Sequence, residues 1–157
     1  MTWQKVLVII FLFYIFALLQ NSFFTYFSIF GVIPNFVFIL FFLLVFFTGK
    51  NHPYQILSLA LLAGIFLDIF SNNYFGKYII LLLIIGFLIK KTQTLLKSLN
   101  DNFPFVYFLP LFLIYYIIFK IFSSFSFNFG FLVAIIYNSI LASLFYYIFK
   151  RWVKFIE

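Results

Sequence analysis

The chain has 157 residues, of which 67 % are hydrophobic and only 8 % are charged, and its mean hydropathy is +1.22. Soluble domains carry about 25 % charged residues, so this composition excludes a water-soluble globular protein and predicts that lipid is the solvent for most side chains. The net charge is +7, but the basic residues are scattered between apolar runs, which argues against a nucleic-acid partner.

Cysteine is absent, which excludes disulfides, thiol chemistry and cysteine-ligated metal sites. The 30 Phe and 11 Tyr residues are interpreted as a compositional preference and not as an aromatic ligand site. Phe enters hydrocarbon about as readily as Leu does, and anchoring at the headgroup level would explain much of the Tyr content.

Apolar runs bounded by polar or helix-breaking residues predict an all-α bundle of six transmembrane helices. Their expected ranges are 5–26, 33–48, 54–70, 74–89, 103–122 and 129–149. Lys5 precedes the first run as in a signal peptide, but no small-residue cleavage site follows, so we expect this helix to be retained. Pro34, Pro53 and Pro104 lie at the openings of three runs, where a missing N–H is harmless. Pro110 lies inside the fifth run and should kink that helix or mark its true start.

The basic residues are distributed unequally between the two sides of the predicted bundle. If the N-terminus is cytoplasmic, only Lys77 and Lys120 lie outside. The inside residues are Lys5, Lys50, Lys90, Lys91, Lys97, Lys150, Arg151 and Lys154. The positive-inside rule therefore predicts that both termini are cytoplasmic. We expect one multi-pass bundle over residues 1–157 in a bacterial inner membrane, with loops too short for an extramembrane domain.

The chain has three acids, of which Asp101 is expected in the fourth loop and Glu157 at the C-terminus. Asp68 is therefore the one acid expected within reach of the bilayer. It ends a stripe in which Ala60, Gly64 and Asp68 recur every four positions on one helix face. Small residues let a neighbouring helix approach closely, and a carboxylate beside them should face protein or water. Two interpretations stay open. Asp68 is either the centre of a helix-contact or ligand site, or a residue hydrated at the headgroups before the polar stretch 71–73.

Further polar groups lie in the first and last predicted spans. Gln20 and Asn21 lie toward the end of the first, and Ala134, Asn138 and Ala142 recur every four residues in the last. Interhelical hydrogen bonds in membranes contribute about 0.6–2 kcal/mol. Helix packing is the expected role of the Asn138 face, with substrate contact as the alternative.

Catalysis is not expected from this sequence. The single histidine, His52, lies in a predicted loop with no acid or second histidine beside it. One membrane acid supplies neither paired carboxylates, nor a metal cluster, nor a nucleophile with its base. We therefore expect no metal and no cofactor.

An ordered set of short motifs runs through the first half of the chain. They are Leu19-Gln20 at the end of the first span, Gly31-Val-Ile-Pro34-Asn35 opening the second, Gly64-Ile-Phe-Leu-Asp68-Ile-Phe-Ser71 closing the third and Phe75-Gly76 opening the fourth. The set resembles MreD, the rod shape-determining membrane protein family of bacteria. Chain length, span number and orientation agree as well. The motifs cover residues 19–76, and residues 77–157 offer none.

The resemblance implies a non-enzymatic member of the cell-elongation complex that lies in membrane lipid, binds MreC and works with MreB filaments and the RodA–penicillin-binding-protein synthase. The implied interaction or ligand site comprises Gln20, Pro34, Asn35, Gly64, Asp68, Ser71 and Gly76. Because the second span begins and the third ends on the same outer side, we expect Asn35 and Asp68 to lie close together.

Two other interpretations remain beside this one. MreD is similar in fold to the six-helix substrate-binding subunits of energy-coupling-factor transporters, so a vitamin-binding subunit is the alternative function. An unassigned bundle, in which Asp68 only anchors a helix end, is the third.

Overall fold

Six α-helices follow one another in the computed structural model, which describes residues 3–47, 53–71, 74–96, 104–122 and 129–156. They are α1 (Trp3–Asn21), α2 (Phe36–Phe47), α3 (Pro53–Ile69), α4 (Lys77–Leu96), α5 (Pro104–Phe122) and α6 (Phe129–Ile156). A short 3-10 helix, Phe24–Phe27, lies between α1 and α2. The fold class is all-α. Residues singled out above that lie outside the described ranges are Lys50, His52, Lys97, Asp101 and Glu157.

Proline marks the starts of two helices and precedes a third. Pro53 and Pro104 are the first residues of α3 and α5, where a missing N–H costs no helical hydrogen bond. Pro34 lies two residues before α2. Pro110 lies inside α5 and is therefore not its beginning.

The helices differ in length from the apolar runs. α1 ends at Asn21, five residues before the expected end of the first span. There the Asn21 and Ser22 side chains donate to the backbone carbonyls of Ala17 and Leu18, and such local bonds compete with helix continuation. α4 and α6 instead extend beyond their apolar runs, because basic residues end the apolar run without ending the helix.

The short helix α2 lies at the centre of the bundle. Nine of its 12 residues are buried, and α2 packs against α1, α3, α4 and α6. On its α5 side, the Phe38 ring stacks on Tyr115 at a centroid distance of 3.7 Å, and the Phe42 ring meets Phe108 edge-on at 5.0 Å. The aromatic run of α2 thus fills the core.

Helices α3 and α4 approach each other closely at Gly64. A Cβ atom added at Gly64 would lie 2.6 Å from the Ile79 Cα, which is shorter than side chains tolerate. Ala60 and Ala63 on the same helix are fully buried. The stripe of small residues on α3 therefore faces protein.

Among the described residues, one helix segment is long and apolar enough to cross a membrane, Phe129–Arg151, with a mean hydropathy of 1.9 over its most apolar window. Four shorter apolar segments accompany it: Val6–Asn21, Phe36–Phe47, Tyr54–Ile69 and Phe108–Ile118. Large apolar side chains such as Phe11, Phe87 and Leu144 are exposed on the outside of the bundle. An exterior of this kind indicates association with a membrane.

Candidate functional site

The start of α2 lies inside the bundle and is held by acceptors from three helices or their flanks. The first N–H groups of any helix lack helical acceptors. The Asn35 N–H donates to Asn138 Oδ1 of α6 at 2.8 Å, and the Val37 N–H donates to Gln20 Oε1 of α1 at 3.4 Å. Asn35 itself is the N-cap, since its Oδ1 accepts the Phe38 N–H at 2.9 Å.

Two tyrosines of α5 extend this network. Asn138 donates through Nδ2 to the Tyr116 hydroxyl and to the Ala134 carbonyl, both at 2.8 Å. Asn35 donates through Nδ2 to the Tyr115 hydroxyl at 3.4 Å. Tyr115 is buried, so interfacial anchoring does not explain it. Sequence reasoning missed this pair, although adjacent tyrosines inside an apolar run are a usable signal, because buried hydroxyls need partners.

The Asp68 carboxylate performs the corresponding role at the start of α4. Its Oδ2 accepts the Gly76 N–H at 2.9 Å and its Oδ1 accepts the Tyr78 N–H at 3.1 Å. A negative charge is favourable at this positive end of a helix. Gly76 has a φ of +96°, which glycine adopts without strain. The side chain is only 4 % exposed, so Asp68 is turned inward.

A polar cavity of about 90 Å³ lies between the two helix starts. Its lining residues are Ala17, Gln20, Asn21, Asn35, Val37, Phe66, Leu67, Phe70, Ser71 and Tyr78. We call this end of the bundle the cavity end. The chain reaches it at the end of α1, the start of α2, the end of α3 and the start of α4.

The structure brings most of the expected site residues to the cavity end. Gln20, Asn35 and Ser71 line the cavity, and Asp68 binds the backbone of the lining residue Tyr78. Ser71 also donates from its hydroxyl to the Asp68 carbonyl at 3.2 Å.

Three further residues of the expected site lie near the cavity but do not line it. Pro34 is buried immediately before the α2 cap. Gly76 supplies an N–H to Asp68, and Gly64 lies about one helical turn before Asp68 on α3, against α4.

Asn35 and Asp68 share this end of the bundle, but no hydrogen bond joins them among the described residues. The Asn35 side chain instead accepts an N–H at the start of α2, and the Asp68 carboxylate accepts an N–H at the start of α4. Asn35 lines the cavity, whereas Asp68 is linked to it through the backbone of the lining residue Tyr78.

The face of α6 assigned to helix packing is buried. Ala134, Asn138 and Ala142 are at most 6 % exposed, and the neighbouring Ser139 is fully buried. Asn138 makes its hydrogen bonds to α5 and to the start of α2. The polar group of this face is thus a structural link between three helices.

The site offers hydrogen-bond donors and acceptors and one carboxylate whose two oxygens are occupied by backbone N–H groups. Within the described ranges, no group of three or more His, Cys, Asp or Glu side chains is placed to hold a metal ion. No protein-family model, no curated protein and no solved structure matches this chain.

Proposed function

We propose that the chain is a six-span protein of the bacterial cytoplasmic membrane and serves as a non-enzymatic scaffold of the cell-elongation complex, as the resemblance to MreD implies. One observation carries the proposal. The polar residues of the resemblance, which come from separate parts of the chain, fix the starts of α2 and α4 around one cavity. Such a network holds helices in fixed positions, as a binding surface for partner helices requires.

The distribution of basic residues supports an orientation in which the cavity end faces the outer side of the membrane. Lys90, Lys91, Lys150 and Arg151 lie toward the ends of α4 and α6 remote from the cavity, whereas Lys77 starts α4 at the cavity end. The positive-inside rule then places the cavity end on the outer side of the membrane.

The length of α2 is compatible with a membrane bundle. Its 12 residues span about 18 Å, less than the roughly 30 Å of a hydrocarbon core. α2 is enclosed by other helices, and the backbone before it is bonded to protein side chains. Irregular backbone at membrane depth is tolerated where protein surrounds it.

The partner under this proposal is an MreC-like protein, with MreB and the RodA–penicillin-binding-protein synthase as further members of the complex. A vitamin-binding subunit of an energy-coupling-factor transporter is the second candidate, and the polar lining of an outward cavity favours it. The cavity volume of about 90 Å³ weighs against it, because ligand sites usually enclose about 300–1,000 Å³.

Depletion in a rod-shaped host tests the scaffold proposal. We expect rounded cells and copurification of an MreC-like protein with the tagged wild-type chain. Asp68→Ala should insert into the membrane but lose the partner and fail to restore rod shape. Asp101→Ala, the same change at an acid expected in a loop, should behave like the wild type.

Three outcomes would contradict the scaffold proposal. Normal rod shape after clean deletion would overturn it. Copurification of a vitamin, or association with an ATPase module, would favour the transporter subunit. Unchanged partner binding and cell shape in Asp68→Ala would favour a plain bundle in which Asp68 only anchors a helix end.

A further inference from the structure

The connection from α1 toward α2, residues 22–33, carries an unusual surface, and we call it the outer segment. Its exposed large apolar side chains are Phe23, Tyr26, Phe27, Ile29, Phe30 and Ile33. Tyr26 is 87 % exposed and Phe30 is 77 % exposed. No charged side chain occurs between Lys5 and Lys50. Connections that run through water usually carry polar and charged residues, so this surface fits an apolar environment better.

Part of the backbone of the outer segment forms local hydrogen bonds. Ile29 and Val32 exchange both N–H···O bonds, at 3.1 and 2.9 Å, around a two-residue turn. The Ser22 and Thr25 hydroxyls donate to backbone carbonyls at 2.7 and 2.6 Å. Such local bonds lower the cost of placing backbone in lipid, where no water replaces a missing partner.

Contacts with α6 hold the outer segment in place. The Tyr137 hydroxyl donates to the Phe27 carbonyl at 3.1 Å, and the Phe30 ring meets the Phe129 ring edge-on at 5.5 Å. The tip of the turn is strained, because Phe30 has a φ of +51°, in a region that bulky side chains avoid. In this conformation the Phe30 ring packs against Phe129 on one side and is otherwise exposed.

We propose that the outer segment lies in the outer leaflet, with the Tyr26 and Phe30 rings at the boundary between phospholipid headgroups and acyl chains. The occupant of this surface is phospholipid, because the segment combines exposed rings, no charge and a backbone that is partly paired by local hydrogen bonds. The inference goes beyond the scaffold role and rests only on the multi-pass arrangement proposed above.

Tyr74 provides a matched control for Tyr26. It is 91 % exposed at the same end of the bundle, but it lies between the polar stretch 71–73 and Lys77. We therefore expect Tyr74 to be in contact with water. Because the native chain has no cysteine, Tyr26→Cys and Tyr74→Cys each introduce a single reactive thiol.

Thiol reactivity in vesicles tests the proposal. Each purified full-length variant is reconstituted into phosphatidylethanolamine–phosphatidylglycerol vesicles and treated with a charged, membrane-impermeant maleimide. Both thiols lie on one side of the bundle, so mixed orientation affects them equally. We expect Tyr26→Cys to react about tenfold more slowly than Tyr74→Cys, because lipid shields it. Both should react equally in SDS.

A nitroxide attached to the same thiols separates lipid from protein as the cause of shielding. We expect the label at residue 26 to collide with dissolved oxygen more than with a water-soluble nickel chelate, and the label at residue 74 to show the reverse. Equal maleimide rates in vesicles would overturn the proposal. So would a label at residue 26 that meets neither reagent, since another protein copy would then cover it.

The results of this test and of the scaffold test can be distinguished from each other. Free reaction of Tyr26→Cys in a protein that still copurifies an MreC-like partner contradicts the lipid placement alone. Failure of an MreC-like protein to copurify with the wild-type chain contradicts the scaffold role alone. If Tyr26→Cys does not insert, Phe27→Cys, which is also exposed, repeats the measurement.

Discussion

At the scale of single residues, side-chain oxygens replace the backbone acceptors that two helix starts lack. The start of α2 is capped by Gln20, Asn35 and Asn138, each of which accepts a different N–H. At the start of α4, the two oxygens of Asp68 accept two N–H groups. Loss of one α2 acceptor leaves the other two, whereas loss of the Asp68 carboxylate removes two acceptor oxygens at the start of α4 at once.

Asp68 substitutions should therefore reduce stability in a graded way. Asp68→Ala removes both acceptor oxygens and should lower the free energy of unfolding by about 1–3 kcal/mol. Asp68→Asn keeps one acceptor oxygen and should cost less. Thermal unfolding in detergent, followed by circular dichroism, measures the order. Asp101→Ala is the control, and an Asp68→Ala protein as stable as the wild type would exclude a capping role.

At the scale of helix pairs, three glycines differ in the space beside them. A Cβ at Gly64 would meet the Ile79 backbone at 2.6 Å, and one at Gly86 would meet the tip of the Ile56 side chain at 2.6 Å. At Gly130 the nearest contact would be Val32 at 3.5 Å, an ordinary distance. A side-chain tip can move away, whereas a helix backbone cannot move without separating α3 from α4.

Glycine-to-alanine substitutions at these positions should rank by that difference. Gly64→Ala should destabilise the protein by about 1–3 kcal/mol, as overpacking usually does, and Gly86→Ala by less. Gly130→Ala should be neutral or stabilise α6 by up to about 1 kcal/mol, since alanine is the better helix former. Unfolding temperatures in one detergent give the ranking. A Gly64→Ala protein at least as stable as Gly130→Ala would contradict the close approach.

The helices were largely predictable from the sequence because their signals are local. Apolar runs and the prolines at residues 53 and 104 gave their number and approximate position. The helix caps were not predictable in detail, because their partners are distant. Asn35 and Asn138 are 103 positions apart, and no local pattern says which acceptor a helix start uses. Asp68 was recognisable as a candidate site residue because it is an isolated acid at the end of an apolar run. Nothing near it in the sequence indicated that its partners are backbone N–H groups.

At the scale of the whole molecule, the six helices place exposed residues at two opposite ends. Tyr54, near the start of α3, is 83 % exposed, and Tyr74, just before α4, is 91 % exposed. α3 lies between them, so a bundle that spans the membrane separates these side chains by a bilayer. Their similar exposure in the fold means that a difference in reactivity reports on the membrane and not on protein packing.

Single cysteines at these two positions should therefore react from different sides. In spheroplasts, Tyr74→Cys should be labelled by an impermeant maleimide, whereas Tyr54→Cys should be labelled only after permeabilisation. The physical reason is the excess of basic residues at the end of the bundle where α3 begins and α4 and α6 end, which the positive-inside rule retains in the cytoplasm. Equal labelling in detergent serves as the control. Labelling of both thiols in intact spheroplasts would contradict a membrane-spanning α3, and labelling of Tyr54→Cys alone would invert the proposed orientation.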